Sequence, residues 1–290
     1  MLMALEEEMK LHIDTAEIWV PDGSPADAAM AKTTHLGISA HQDDIEIMAF
    51  HGALQCFGKE DKNFMGVVVT NGAGSPRDDL YADFSDDDMQ KVRRLEQKKA
   101  AFVGEYCAQG LLDFPSSAVK DGKSQDVIDD IKAILLAAKP EVVYTHNLAD
   151  KHDTHVAVAL RVIAAIQQLP EADRPKKVLG CEVWRNLDWV CDEDKVVLDC
   201  GAHENIAAAL LGVHDSQICG GKRYDLAAMG RRKGNATFFA SHGVDASDAL
   251  NFSVDLTPLS KDASINPFEY MKAYMDRFAE EVKARIGKLS

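Results

Sequence analysis

The sequence predicts an α/β protein with a doubly wound, largely parallel sheet and a C-terminal extension. Short apolar segments of strand length alternate with longer segments whose apolar residues recur at helical spacing. Several strand segments end in turns rich in glycine or polar residues. The alternation holds from residue 35 to residue 170, and it is typical of parallel strands connected by helices.

The first half of the chain supplies the core of the predicted sheet. "HLGISA" is apolar and short, as a buried strand should be, whereas "SDDDMQKVRRLEQKKAAFVGEYCAQG" is amphipathic, begins with acids and ends at Gly110. In chain order, the predicted elements are strand 35–40, helix 45–59, strand 63–74, helix 85–110, helix 126–140, strand 141–147 and helix 154–170.

The second half is predicted to continue the same sheet. Its expected elements are strands 176–190, 195–201 and 250–256 and helices 203–214, 222–240 and 267–288. We therefore expect one domain over residues 1–290 with its core at about 35–255. A small C-terminal subdomain over 170–290 is the alternative.

The charge balance narrows the classes of partner. The chain has 32 basic and 47 acidic residues, which gives a formal charge of −15. Such a surface repels phosphate backbones and anionic lipids, so neither nucleic acid nor membrane is an expected partner. The six cysteines are scattered without a CxxC pair, which favours reduced thiols in the cytoplasm. The acidic start "MLMALEEEMKLHID" lacks the basic segment and apolar core of a signal peptide.

Two polar motifs follow two of the predicted parallel strands. "AHQDD" follows the strand at 35–40, and "THNLADKHDTH" ends and follows the strand at 141–147. Ligands of open parallel sheets bind beyond the carboxyl ends of the strands, so both motifs are expected at one edge of the sheet. Together they supply His41, Asp43, Asp44, His152, Asp153 and His155. Two imidazoles and one carboxylate suit a catalytic zinc, and the remaining groups are then free for proton transfer.

The motif pair "AHQDDIE" and "DKHDTH" resembles the PIG-L/LmbE-type zinc-dependent de-N-acetylases. The resemblance covers roughly residues 35 to 255 and includes a Rossmann-like order of elements. It implies that His41, Asp44 and His155 bind the metal. It also implies that Asp43 is the general base and that His152 acts as an acid or stabilises the oxyanion.

Two positions depart from the family pattern. Gln42 stands where the family commonly has Pro or Ala. Thr154 stands where the second family motif has an Asp that helps to orient the leading histidine, here His152. Either Asp153 or another carboxylate such as Asp150 takes over that task, or His152 is tuned differently.

The resemblance also implies substrate-binding residues. The family often places an arginine in the helix after the second strand, and Arg93 is the best match, with Arg94 and Arg77 as competitors. "HDSQ" resembles a family segment near the site, which implies that His214 lines the pocket. Together with Asp150, Arg93 and His214 are the expected substrate-binding residues.

The basic stretch at 214–243 leaves an alternative open. Four of its residues are candidates to bind an anionic group such as a sugar phosphate, although a solvated helix face is the favoured interpretation. The candidates are Lys222, Arg223, Arg231 and Arg232.

The leading hypothesis is a zinc-dependent hydrolase that removes acetyl from an N-acetylated amino sugar of the GlcNAc type. Another divalent metal such as Fe²⁺ can take the place of zinc, and assembly into a homo-oligomer is left open. One alternative is a metal-dependent phosphoester hydrolase, and the other is a catalytically degenerate sugar-binding module. A dinucleotide-dependent oxidoreductase is not expected, because no GxGxxG follows the first strand.

Overall fold

The computed structural model describes residues 9–290 and contains one eight-stranded sheet covered by helices on both faces. Successive strand residues point to opposite faces: Ile38 and Val67 belong to one hydrophobic core, while Phe64 and Val68 belong to the other. The strands are near-continuous apolar runs because both faces of the sheet are buried.

The bounds of the strands and helices are as follows. The strands are β1 (Glu17–Trp19), β2 (His35–Ser39), β3 (Phe64–Thr70), β4 (Ala108–Phe114), β5 (Val142–His146), β6 (Lys177–Cys181), β7 (Val196–Asp199) and β8 (Leu250–Asp255). The helices are α1 (Ala26–Met30), α2 (Asp44–Met48), α3 (Phe50–Cys56), α4 (Asp86–Val103), α5 (Ser116–Lys120), α6 (Gln125–Ala138), α7 (Asp153–Gln167), α8 (Glu204–Gly212), α9 (Asp215–Cys219), α10 (Tyr224–Phe238), α11 (Thr257–Lys261) and α12 (Pro267–Leu289).

The strand order is β1-β4-β3-β2-β5-β6-β8-β7. The five strands from β4 to β6 run parallel, whereas β1 and β8 pair antiparallel with their neighbours. The chain moves outward from β2 to one side through β3 and β4, and then crosses to β5 on the other side. This reversal lies between β2 and β5, where α/β sheets commonly bind ligands. The predicted fold class is confirmed, and β6, β7 and β8 lie in the same sheet as the earlier strands.

Two strands were missed in the sequence, the three-residue β1 at the edge of the sheet and β4. The helix expected over 85–110 ends at Val103, and residues from Ala108 form β4. Gly104 ends the helix, and a Cβ there would lie 2.4 Å from the Tyr106 ring. Because the apolar residues of β4 continue the helical spacing of α4, the spacing alone predicts one helix that ends at Gly110.

The single helix expected over 45–59 is divided between Met48 and Phe50. The carbonyl oxygens of Glu46 and Ile47 accept hydrogen bonds from Arg232 at 2.6 and 3.1 Å, and the latter also accepts one from Asn251 at 2.9 Å. These side chains satisfy buried carbonyls at the break. Arg232 therefore has a structural role here and is not free to bind an anion.

No helix among residues 9–290 has both the length and the apolar character that a bilayer span requires. The expectation about the N-terminal segment 1–14 falls partly on residues 1–8, which lie outside the described residues.

Candidate metal and catalytic site

The two motifs meet at the carboxyl ends of β2 and β5. These strands pair in parallel, with His35 opposite Val142, so both chains leave the sheet on the same side. The first turn after β2 carries His41 and leads into α2, and the turn after β5 leads into α7. This confirms the expectation that the motifs share one edge of the sheet.

Three side chains converge as a metal-binding group would require. His41, Asp44 and His155 each offer one ligand atom, and the three atoms lie within 4.8 Å of one another. His155 Nε2 lies 3.2 Å from His41 Nδ1, and Asp44 Oδ2 lies 3.2 Å from His41 Nδ1 and 3.3 Å from His155 Nε2. The cluster sits at the wall of a cavity of about 450 Å³, which His41 and Asp44 line.

The donor set fits a divalent metal. Ligand atoms about 2.0–2.2 Å from a tetrahedral zinc stand roughly 3.3–3.6 Å apart, close to the spacing of the three atoms. Burial lowers the pKa of His41 to about 4, so its imidazole is neutral and has a lone pair to donate. Two histidines and one carboxylate are also a common ligand set of catalytic zinc.

Asp43 occupies a strained position beside the cluster. Its φ of 102° is rare for a residue other than glycine, and such strain is often found at functional sites. Its carboxylate lines the cavity and lies 3.9 Å from the Arg93 guanidinium. Burial and the neighbouring Asp44 carboxylate raise the pKa of Asp43. This side chain is therefore suited to accept and hold a proton.

His152 lines the same cavity and stands against His41 and His155. Its ring stacks on His155 at 4.5 Å and meets His41 edge-on at 5.0 Å. Burial lowers the pKa of His152, and the nearby His155 lowers it further. Within residues 9–290, no carboxylate hydrogen-bonds its ring, and its buried Nδ1 has no partner. Neither carboxylate considered above contacts the His152 ring in place of the family's Asp.

Asp150 was expected to bind substrate, but it lies beneath the site. Its side chain is fully buried, and its carboxylate faces His155 Nδ1 at 3.7 Å. It also accepts hydrogen bonds from the backbone N–H groups of His152 and Trp184, both at 3.0 Å. These backbone groups hold the carboxylate against the Nδ1 side of the His155 imidazole, away from the cavity. Asp150 is therefore a positioning residue for His155.

Arg93 is the one of the three candidate arginines that lines the cavity. It is buried and donates to the carbonyl oxygens of Gly72 at 3.1 Å and Gln42 at 2.7 Å. It thereby ties together the turns that follow β3 and β2. Arg94 and Arg77 are instead engaged in ion pairs with carboxylates elsewhere.

His214 does not line the cavity as expected. It is 2% exposed, and its Nε2 lies 3.0 Å from Glu46 Oε2. Glu46 also accepts hydrogen bonds from Tyr106 and Gln97, both at 3.0 Å. Gln97 in turn accepts a hydrogen bond from the backbone N–H of Asp43 at 3.4 Å. His214 thus belongs to a buried network behind the strained turn, because Glu46 on α2 points away from the cavity.

Sequence reasoning missed several residues of the site. His146, the last residue of β5, is fully buried, stacks on His155 at 3.9 Å and accepts the Ala40 N–H at 2.8 Å. Its position at the end of a central strand was an available signal. Trp184 and Lys120 also line the cavity.

The chain matches one known family over part of its length. Residues 36–166 match the family model described as PIG-L, GlcNAc-PI de-N-acetylase. This match confirms the resemblance that the two motifs carry. No curated protein matches the chain by sequence.

Several solved structures share the fold at low sequence identity. The N,N'-diacetylchitobiose deacetylase from Pyrococcus horikoshii has a TM-score of 0.57 and 17% identity, over 76% of this chain and 83% of its own. GalB, the 4-carboxy-2-hydroxymuconate hydratase from Pseudomonas putida KT2440, has a TM-score of 0.58 and 16% identity, over 77% and 96%. A zinc-inhibited form of the teicoplanin deacetylase Orf2 has a TM-score of 0.55 and 17% identity, over 77% and 98%. These likenesses establish the fold, which carries deacetylases and a hydratase alike.

Proposed function

We propose that this chain, whose residues 36–166 match the PIG-L de-N-acetylase family, is a metal-dependent amidohydrolase. Its substrate would be an N-acetylated amino sugar of the GlcNAc type. The observation that carries the proposal is the convergence of His41, Asp44 and His155 beside the strained and buried Asp43, at the wall of one cavity. An amide hydrolase needs this pairing of a metal-binding group with a separate proton acceptor.

The metal would be held by His41, Asp44 and His155. When bound, a divalent metal lowers the pKa of water and polarises a carbonyl oxygen. We propose zinc, because histidine and carboxylate donors at this spacing suit it, with Fe²⁺ as the alternative.

Asp43 would remove the proton from the attacking water. Its carboxylate lines the cavity and is not itself one of the three converging donors. Burial favours the protonated form, so the carboxyl group can keep the proton until the amine departs. The Arg93 guanidinium at 3.9 Å favours the ionised carboxylate and so limits the rise in the pKa of Asp43.

His152 would serve the carbonyl oxygen of the acetamide. A lowered pKa keeps its imidazole neutral, and a neutral imidazole still donates one N–H. Donors aimed at the developing oxyanion are a large contribution to amide hydrolysis. The departing amine would then receive the proton that Asp43 took from the attacking water.

The test is product analysis on a panel of N-acetylated amino sugars, free and phosphorylated. Zinc and Fe²⁺ are supplied separately at one equivalent, since excess zinc can inhibit, as in the zinc-inhibited form of Orf2. Acetate that appears only with metal is the expected result. Release of phosphate would favour a phosphoester hydrolase. Metal-loaded protein that binds sugars and releases nothing would favour a sugar-binding module, and either outcome would contradict the proposal.

We also propose a cytoplasmic location. All six cysteines are free, and Cys56, Cys181, Cys191 and Cys200 are buried. Unpaired thiols of this kind are typical of reducing compartments.

A further inference from the structure

The cavity carries more positive charge than an acidic protein would be expected to place there. Arg93, Lys120 and Lys222 line it, against the carboxylates of Asp43 and Asp44. The whole chain has a formal charge of −15. Three cations in one cavity of such a chain favour a ligand that is itself anionic.

The four basic candidates of the stretch at 214–243 separate clearly in the structure. Arg223 pairs with Asp225, Arg231 donates to a backbone carbonyl, and Arg232 is buried at the break between α2 and α3. Lys222 alone among them lines the cavity. The other three are thus occupied by the protein itself.

Lys222 is held in place without a carboxylate partner among the described residues. It is half-buried, and its Nζ lies 5.2 Å above the centre of the Trp184 ring. The Trp184 ring is 6.3 Å from the His152 ring, and Tyr224 packs against its edge at 5.9 Å. Cation–π contact fixes the ammonium group but leaves its three N–H donors free.

We propose that Lys222 binds an anionic substituent, a phosphate or a carboxylate, on the substrate of this site. This inference rests on the proposed deacetylation, since it names the class of sugar that the site takes. The sugar ring would span the distance from the reacting acetamide near His152 to the ammonium group. The Trp184 wall would exclude water from that contact and so strengthen it.

The test compares the wild type with Lys222→Gln on three matched substrates. These are a neutral N-acetylglucosamine glycoside, its phosphorylated form and a form bearing a carboxylate. The ratio of kcat/KM for an anionic substrate to that for the neutral one should fall roughly 10- to 100-fold in the variant, as expected for loss of a charge-assisted hydrogen bond. Lys233→Gln, which alters a lysine paired with Glu204 outside the cavity, should leave the ratio unchanged.

Calorimetry of the binding of deacetylated sugars tests this inference independently of the proposed deacetylation. If no acetate is released from any substrate, weaker binding of an anionic sugar to Lys222→Gln than to wild type still supports the inference. An unchanged ratio and unchanged binding for both the phosphate and the carboxylate forms would overturn it. The form that loses more identifies which anion the site prefers.

A second and independent observation concerns the C-terminal helix α12. Within it only Met271 and Tyr274 are buried. Further along, Met275, Phe278 and Val282 are 41%, 40% and 38% exposed, and they are followed on the same face by other exposed apolar residues, of which Ile286 is 61% exposed. The spacing of 3, 4 and 4 residues forms one stripe.

The charges flanking this stripe are arranged to match a second copy of the helix. Acids cluster before Val282, and bases follow it. The acids are Asp276, Glu280 and Glu281, and the bases are Lys283, Arg285 and Lys288. Arg277, a base in the acidic half, is occupied by Asp194. Within one copy Glu280 pairs with Lys283, Glu281 with Arg285 and Asp276 with Lys272. These pairs are largely exposed and stabilise little, so the same charges remain available to a second copy. Antiparallel pairing about Val282 would set each acidic half against a basic half and Phe278 against Ile286.

The geometry points to α12 as the docking surface for a second copy of this chain. An isolated helix in water is marginal without packing of its apolar face, and a symmetric partner supplies that packing. Sedimentation over a concentration series should show a dimer in the wild type and a monomer in Val282→Glu. Val244→Glu, at a residue that is 95% exposed and outside α12, should remain dimeric.

Charge reversal tests the pairing between the two copies. Glu280→Lys with Glu281→Lys, and separately Lys283→Glu with Arg285→Glu, should each weaken the dimer, and mixing the two variant proteins should restore it as a heterodimer. A wild type that stays monomeric up to its solubility limit would overturn the proposal. So would a dimer that Val282→Glu does not affect, because another surface would then hold it.

Discussion

Asp150 offers a sharp test of how the site is built, because it faces the proposed metal ligand His155 from the side away from the cavity. Asp150→Asn removes the charge that faces His155 Nδ1 at 3.7 Å. It also replaces one carboxylate oxygen with an NH2 group, which donates and cannot accept. One of the two backbone N–H groups that the carboxylate now accepts therefore loses its acceptor. Losing the carboxylate behind a metal-binding histidine typically weakens metal affinity about 10- to 100-fold, or about 1.4–2.8 kcal/mol.

The assay is competition for zinc between the folded protein and a fluorescent chelator. Asp153→Asn is the matched control, since Asp153 is the acid of the same motif but is exposed at the start of α7. The control should bind zinc as the wild type does. If Asp150→Asn kept the wild-type affinity, or if both variants lost affinity equally, the assignment of Asp150 as the residue that positions His155 would be refuted.

Three further changes test the other parts of the account. Asp43→Asn should keep one equivalent of metal and lose about 10²- to 10⁴-fold in turnover, because it removes the proton acceptor; metal content and acetate release measure the two effects. Arg232→Met should lower the free energy of unfolding by about 1–3 kcal/mol by leaving the buried carbonyl of Glu46 without this donor, measured by urea denaturation, whereas Lys233→Met should have little effect. Gly72→Ala should cost at least about 1–2 kcal/mol in the same assay, because φ is +73° and the new Cβ would lie 2.3 Å from Gln42 Oε1; an unchanged midpoint would show that the turn can relax.

The sequence was sufficient to predict the sheet and the meeting of the two motifs. Both follow from local signals, namely apolar strands with polar residues directly after them, combined with the general rule for parallel sheets. The convergence of His41, Asp44 and His155 could be predicted for the same reason, since all three lie within four residues of a helix start. The strand β4 was lost because its apolar residues continue the spacing of the preceding helix.

The directions of individual side chains were not predictable in this way. His214 turns toward Glu46, and Asp150 is fixed by the N–H of Trp184, both partners distant in sequence. Arg232 and Lys222 belong to one basic stretch, yet the first is buried under α2 and the second lines the cavity. Such roles depend on which segments pack together, and no local pattern records that.

The measurement that tests the central claim most directly is a zinc titration of metal-free protein with acetate release followed in parallel. If His41, Asp44 and His155 form one catalytic metal site, the rate should rise linearly and reach its maximum at one equivalent. His155→Ala should bind metal far more weakly and show no comparable rise. Acetate release that is independent of metal, or a His155→Ala protein that titrates like the wild type, would contradict the account.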